Sequence, residues 1–223
     1  MRLPFTVEQF YAVFREYNTA VWPAQALLLG FAAIAVVLVL ARHPRSGIGI
    51  SAILALLWIW MGLAYHLAFF TSISAPAFAF AVLSVAGGVV FFWQGVVRRM
   101  LEFSWAAGVR SIIGVVLIVF VLVVYPAWSY TAGHHYPATP TFGLPCPTTI
   151  FTIGLLAFLV RPYPRGPIVV PILWSFVGGQ AAFLLAVPPD LGLVVAGVFG
   201  IVLFARSRAP TLRVPSSTRQ ALA

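Results

Sequence analysis

Apolar residues are arranged along the chain in seven long runs, and short segments rich in polar residues separate one run from the next. A helix needs about 20 apolar residues to cross about 30 Å of hydrocarbon. The fifth and seventh runs are short and need a thinner bilayer or shielding by neighbouring helices. The pattern predicts an all-α, polytopic integral membrane protein with about seven transmembrane helices. The runs cover residues 20–41, 48–71, 75–97, 108–129, 147–160, 167–187 and 191–205.

The two ends of the chain differ from these runs. Residues 1–19 contain a short amphipathic helix that begins at a capping box formed by Thr6 and Gln9 and is predicted to lie in the membrane interface. It either anchors the first span or covers an outer cavity as a lid. Residues 207–223 form a basic tail without apolar periodicity, which predicts disorder. The membrane domain therefore covers residues 20–206. The apolar face of the first helix consists of Val7, Phe10, Tyr11, Phe14 and Tyr17.

The basic residues predict the orientation in the membrane. All thirteen are arginines, and eleven of them fall in the segments after the first, third, fifth and seventh runs. Only Arg2 and Arg15 fall on the other side. Because arginine-rich short loops stay in the cytoplasm, we expect the N-terminus outside and the C-terminus in the cytoplasm.

The composition excludes several classes of protein. Hydrophobic residues make up 62% of the chain and charged residues 8%, with a mean hydropathy of +1.04. A soluble domain has about 25% charged residues, so a soluble enzyme and a disordered chain are both excluded. The single cysteine also excludes a scaffold of internal disulfides. The net charge of +9 fits arginines facing anionic lipid headgroups, and we predict the lipid bilayer rather than nucleic acid as the partner.

Polar residues inside a membrane are costly, which makes them the first candidates for a functional site. His66 lies in the second run, Gln94 in the third and Gln180 in the sixth. No acidic residue falls inside a predicted span, because Asp190 belongs to a Pro-Pro-Asp turn at the outer surface. This distribution disfavours a carboxylate-driven pump.

The segment after the fourth run is the second candidate region. Residues 133–149 contain four prolines and no Lys, Arg, Asp or Glu, which predicts a rigid structure packed into the outer end. The predicted topology brings its His134, His135 and Cys146 to the same face as His66. Imidazole and thiolate are ligands of zinc and copper, so these four residues form a candidate metal site. The spacing of these four residues is not that of a known zinc motif. Haem bound through His66 is a weaker candidate cofactor than zinc or copper.

The same region offers a thiol site or a small-molecule pocket. Cys146 is the candidate catalytic nucleophile, with a histidine as its base. Helical spacing places Trp58 and Tyr65 near one face of the second span. The candidate pocket residues are Trp58, Tyr65, Tyr136 and Gln180. A dithiol cycle at the lone cysteine would need a partner chain or a second copy of this one, so a homo-oligomer is a candidate assembly.

Four segments of the chain are distinctive, namely Leu3-Pro4-Phe5-Thr6-Val7-Glu8-Gln9-Phe10, Tyr17-Asn18, Val21-Trp22-Pro23-Ala24-Gln25 and Thr141-Phe142-Gly143-Leu144-Pro145-Cys146-Pro147-Thr148-Thr149. In these segments the chain resembles a family of bacterial multi-pass membrane proteins whose function is unknown. The resemblance covers nearly the whole sequence and implies a bacterial inner-membrane protein. It implies no activity, cofactor or catalytic residue.

Three functions follow from these features. The leading hypothesis is an outward-facing His/Cys site that binds or passes a small molecule or a soft metal ion. The first alternative is an intramembrane enzyme that depends on a metal or on the Cys146 thiolate. The second is a membrane scaffold whose neutral outer loop docks another protein. The sequence leaves open whether the protein is an enzyme.

Overall fold

The computed structural model describes residues 4–41 and 43–207, and the chain in these ranges is helical without a strand. The prediction of an all-α fold is confirmed. Arg2, Arg42 and the predicted tail beyond Ser207 lie outside the described residues. The helices are α1 (Val7–Ala20), α2 (Ala24–Ala41), α3 (Ser46–Ser72), α4 (Ala77–Val97), α5 (Val109–Thr131), α6 (Pro145–Leu156), α7 (Gly166–Leu184) and α8 (Pro188–Arg206).

Six of these helices, α2 to α5 together with α7 and α8, are long and apolar enough to cross a membrane. They match the first four predicted spans and the last two. The last span is longer than predicted, since Pro188, Pro189 and Asp190 form a 3₁₀ turn that opens α8 instead of a separate loop. Large apolar side chains, such as Leu27 and Val37 of α2, remain exposed on the outside of the bundle. These features define a helical membrane protein.

The fifth predicted span corresponds to α6, which has only 12 residues. At about 1.5 Å per residue it is about 18 Å long, well short of the hydrocarbon thickness. Every residue of α6 except Cys146 is buried. The helix packs against α5, α7 and α8, so its neighbours supply the shielding that a short helix needs. A seventh complete crossing stays a prediction.

The arginines of the described residues divide between two ends of the bundle. Arg110, Arg161 and Arg206 line one surface pocket, and Arg165 donates from Nε to the Ser207 hydroxyl nearby. We call this the arginine end. Arg15 lies on α1, at the opposite end, which we call the α1 end. The predicted separation of the basic residues is therefore present in the fold, whereas the side of the membrane that each end faces stays a prediction.

Close contact between α3 and α4 depends on two glycines. A Cβ atom at Gly62 would lie 2.9 Å from the Ala81 carbonyl oxygen, and one at Gly88 would lie 2.9 Å from the Ala55 carbonyl oxygen. Both distances are too short for any larger residue. Small residues thus let the two backbones approach, and this packing fixes the end of α3 beside the site described next.

Candidate functional site

A cavity of about 240 Å³ lies at the α1 end of the bundle. Every helix except α2 contributes to its wall, and most of the lining residues are aromatic, aliphatic or proline. The cavity is therefore apolar with a few polar groups. The lining residues with a polar atom in the side chain are Tyr65, His66, Ser74, Tyr125, Cys146, Trp174, Gln180 and Asp190.

Two π-helical segments position polar residues of the cavity wall. The segment Met61–Leu67 of α3 is a π-helix and contains Tyr65 and His66. A second π-helical segment in α5, Phe120–Val124, ends directly before Tyr125. A π turn holds more residues than an α turn and rotates the following side chains around the helix axis. In both helices this change comes just where the chain reaches the cavity.

His66 has unused hydrogen-bonding groups inside this cavity. Its side chain is fully buried, and neither ring nitrogen has a partner within the described part of the chain. The ring packs edge-on against Trp174 at 4.8 Å between centroids. The buried indole N–H of Trp174 also lacks a partner among the described residues. A neutral imidazole offers one donor and one acceptor, and the indole offers one donor, so three hydrogen-bonding groups of these two side chains have no partner among the described residues.

Asp190 forms a second polar group at the cavity wall. Its side chain is only 1% exposed, and the Tyr125 hydroxyl donates a 2.5 Å hydrogen bond to its carboxylate. The Cys146 thiol lies beside the same carboxylate. The turn between α7 and α8 was correctly predicted, but the expectation that its acid lies at the surface was wrong. The turn opens α8 directly, which leaves Asp190 inside the bundle, so a buried carboxylate is available after all.

Helix α1 covers the cavity. The predicted capping box is confirmed, since Thr6 accepts from the Gln9 backbone and donates its own backbone N–H to the Gln9 side chain. The apolar face brings Phe10 and Phe14 onto the cavity. The Trp60 indole donates to the Tyr17 hydroxyl at 2.8 Å, and burial raises the pKa of Tyr17 to about 12. The amphipathic helix therefore forms a packed cover, as the lid alternative required.

Asn18 fastens the end of α1 to the segment between α5 and α6. Its side-chain amide donates to the carbonyls of Pro137 and Thr139 at 2.7 and 2.8 Å. Its side-chain oxygen accepts from the Thr141 hydroxyl at 2.7 Å and from the Gln25 amide at 3.3 Å. Asn18 is fully buried, so this one side chain connects the cover, the first span and the neutral loop.

The four predicted metal ligands do not come together. His66 and Cys146 line the cavity, whereas His134 and His135 line a separate surface pocket with Tyr11 and other residues. The reason is the position of α1, whose Phe10 and Phe14 face the cavity while Tyr11 faces the second pocket. Among the described residues, no group of three or more His, Cys, Asp or Glu could hold a metal ion.

His134 instead helps to hold α1 in place. Its ring stacks on Tyr11 at 4.2 Å between centroids, and its Nε2 lies 2.9 Å from the Tyr11 hydroxyl. The same hydroxyl donates to the Ala186 carbonyl at 2.9 Å. Burial and the nearby Asp190 raise the pKa of Tyr11. His135 packs against Tyr130 and is exposed.

Two of the four predicted pocket residues line the cavity, and the other two lie elsewhere. Tyr65 and Gln180 line the cavity. Trp58 lies in the buried core, where its indole donates to the Thr152 hydroxyl at 3.0 Å. Tyr136 lies at the surface and donates to the Asn18 carbonyl at 3.1 Å. The π-helical turn that follows Trp60 explains the first separation, because α-helical spacing no longer relates Trp58 to Tyr65.

Sequence reasoning missed four polar residues of the site, namely Ser74, Tyr125, Trp174 and Asp190. Trp174 and Tyr125 lie in apolar runs that contain many aromatic residues, and nothing local distinguishes them. Asp190 did carry a signal, since it is the only acidic residue after Glu102 and its turn is very short. A loop of three residues between two spans has little length with which to bring a carboxylate into water.

The fold and the cavity have the features of a helical membrane protein with a largely apolar, covered cavity at one end. Residues 7–213 match the model of a family described as a family of unknown function (DUF6064), and the chain belongs to that family. None of the curated proteins and none of the solved structures compared with the chain matches it.

Proposed function

We propose that the protein binds a small, largely apolar organic molecule with one hydrogen-bonding group in the cavity under α1. The observation that supports this most directly is the buried pair His66 and Trp174, two residues that line an apolar cavity and whose polar nitrogens have no partner in the described residues. A buried polar group left unsatisfied costs about 1–3 kcal/mol. A ligand that hydrogen-bonds to this pair would remove that cost.

The size of the cavity restricts the ligand. Its volume of about 240 Å³ exceeds the roughly 150 Å³ of an engineered apolar cavity that admits benzene. It is smaller than the pockets of about 300–1,000 Å³ that hold drug-sized molecules. The ligand therefore has the size of a substituted single ring or a short branched chain. Such molecules partition into lipid, which gives them a route to a site inside the membrane.

The two polar groups of the wall have different roles in this proposal. The Asp190 carboxylate already receives the Tyr125 hydroxyl and lies beside the Cys146 thiol. His66 and Trp174 have no such partners, so the hydrogen-bonding group of the ligand is placed against them. A hydroxyl suits this position, because its oxygen accepts from one nitrogen while its hydrogen is donated to another.

The proposal also includes the direction in which the cavity opens. If the arginine end faces the cytoplasm, as the positive-inside rule requires, then α1 and the cavity face the outside of the inner membrane. Binding and release would follow movement of α1, the helix that covers the cavity. A facilitator and a binding protein would share this site. A nucleophilic role for Cys146 stays a prediction.

A matched pair of probes tests the proposal. p-Cresol and p-xylene have nearly the same size and shape, and only p-cresol has a hydroxyl. We expect p-cresol to bind the purified protein about fivefold more tightly than p-xylene, the effect of one added hydrogen bond. Ligand-induced shifts of the unfolding temperature in detergent measure both affinities.

Two variants identify the binding position. His66→Leu removes the two unpartnered ring nitrogens and leaves only the Trp174 N–H, so it should reduce the preference for p-cresol while p-xylene still binds. His135→Leu makes the same change at an exposed position at the α1 end outside the cavity and should leave the preference intact. Equal binding of the two probes to the wild type, or an unchanged preference in His66→Leu, would show that the pair does not receive the ligand.

A further inference from the structure

Three arginines converge on a surface pocket at the arginine end, far from the cavity. Arg110 of α5, Arg161 after α6 and Arg206 of α8 line it together with the segment that precedes α5. No acidic residue lines this pocket in the described part of the chain. The orientation rule needs arginines at this end of the bundle, but it does not need three of them around one pocket. Arg98 and Arg99, at the same end, lie outside it.

Arg110 is held in a fixed position. Its Nη2 donates to the carbonyls of Leu156 and Leu159 at 3.2 and 2.6 Å, at the end of α6. Its guanidinium lies over the Tyr163 ring at 5.3 Å. The buried Nε has no partner within the described residues. A guanidinium held by two carbonyls and an aromatic ring is ordered before any ligand arrives.

The surrounding charges are unbalanced. Arg161 is near enough to Arg110 for their like charges to interact unfavourably. The first turn of α5 lies at the same pocket, and its N-cap is Gly108, which has no side chain to satisfy the free backbone N–H groups. The N-terminus of a helix carries a partial positive charge. Glu102, the acid nearest in sequence, does not line the pocket.

We propose that this pocket binds a phosphate group, either in the headgroup of an anionic phospholipid or as free phosphate. A phosphate presents several oxygens to several guanidinium groups at once and accepts paired hydrogen bonds from each. Its charge would balance the three arginines, and its oxygens could also receive the backbone N–H groups of α5. Arg110 supplies the fixed contact, and the exposed Arg161 and Arg206 close around the ligand.

Native mass spectrometry of the purified protein with added phosphatidylglycerol tests the site. We expect a bound lipid in the wild type, and a loss of roughly tenfold in affinity in the Arg161→Gln/Arg206→Gln variant, since contacts to charged groups are strong. Both side chains are exposed, so the variant should fold normally, which circular dichroism verifies. Arg98→Gln removes an arginine from the same end outside the pocket and should bind like the wild type.

Competition with inorganic phosphate distinguishes the two sources of the ligand. Displacement of the lipid at millimolar phosphate would identify a phosphate site that accepts the free ion, and retention of the lipid would identify a headgroup site. Both results support the proposal when the double variant loses binding. Equal lipid binding by the wild type and the double variant would overturn it, as would an equal loss in Arg98→Gln.

Discussion

The two ends of the molecule handle polar groups in opposite ways. At the α1 end, Asn18, His66 and Asp190 are buried, and a short helix covers them. At the arginine end, Arg161 and Arg206 are exposed around an open pocket. Buried polar groups interact strongly over short distances but are costly when unpaired. Exposed charges are screened by water and salt. Stability should therefore depend on single side chains at the α1 end and be insensitive to them at the arginine end.

The largest expected effect of this difference is at Asn18. Asn18→Ala removes four hydrogen bonds and leaves the part-buried carbonyls of Pro137 and Thr139 without their donor. At about 1 kcal/mol for each bond, we expect the free energy of unfolding to fall by about 4 kcal/mol. Thermal unfolding in detergent measures this change. The neighbouring Thr19→Ala is the control, because Thr19 is exposed and should change stability by less than about 0.5 kcal/mol. Similar losses in both variants would contradict the anchoring role of Asn18.

An alkaline titration tests the contribution of a buried side chain at the α1 end without any substitution. Burial raises the pKa of Tyr17 from 10.0 to about 12, so the folded protein holds this proton more tightly than the unfolded chain. The contribution of the protonated Tyr17 to the free energy of unfolding is fully present below pH 10 and is lost as the pH rises towards 12. Each pKa unit corresponds to about 1.4 kcal/mol, which predicts a loss of about 3 kcal/mol over this interval.

Tyr17→Phe provides the control for the titration. The variant loses the hydrogen bond from Trp60 and should be less stable than the wild type at pH 8. Its stability should then decline less steeply between pH 10 and pH 12, since the titrating group is absent. Unfolding temperatures recorded over this range give both slopes. Parallel curves for the two proteins would show that Tyr17 is not the group responsible.

A structural feature could be predicted from the sequence when it depends on residues that are close together in the chain. The six long helices follow from local apolar runs, and the start of α1 follows from Thr6 and Gln9 three residues apart. The gathering of arginines at one end follows from their alternation between runs. These are patterns within about 25 residues, and the sequence contains them in full.

The composition of the site depends instead on contacts between distant segments. His134 and His135 were expected beside His66, but α1 lies between the cavity and their pocket. Trp58 and Tyr65 were expected on one face, but a π-helical turn changes the helical spacing between them. The burial of Asp190 depends on Tyr125, 65 residues earlier, and on the cover that α1 provides. Each of these outcomes requires the packed bundle and cannot be deduced from spacing along one helix.

The smallest of the expected effects concerns the Asp190–Tyr125 pair and is the most discriminating. Asp190→Leu leaves the buried Tyr125 hydroxyl without its acceptor, and we expect a loss of about 2 kcal/mol in the free energy of unfolding. Combining it with Tyr125→Phe should restore much of that loss, because replacing both partners by apolar groups leaves no unsatisfied atom. Glu102→Leu, an exposed acid near the arginine end, should change stability by less than about 0.5 kcal/mol. A double variant less stable than Asp190→Leu alone would mean that the pair does not act as one buried unit.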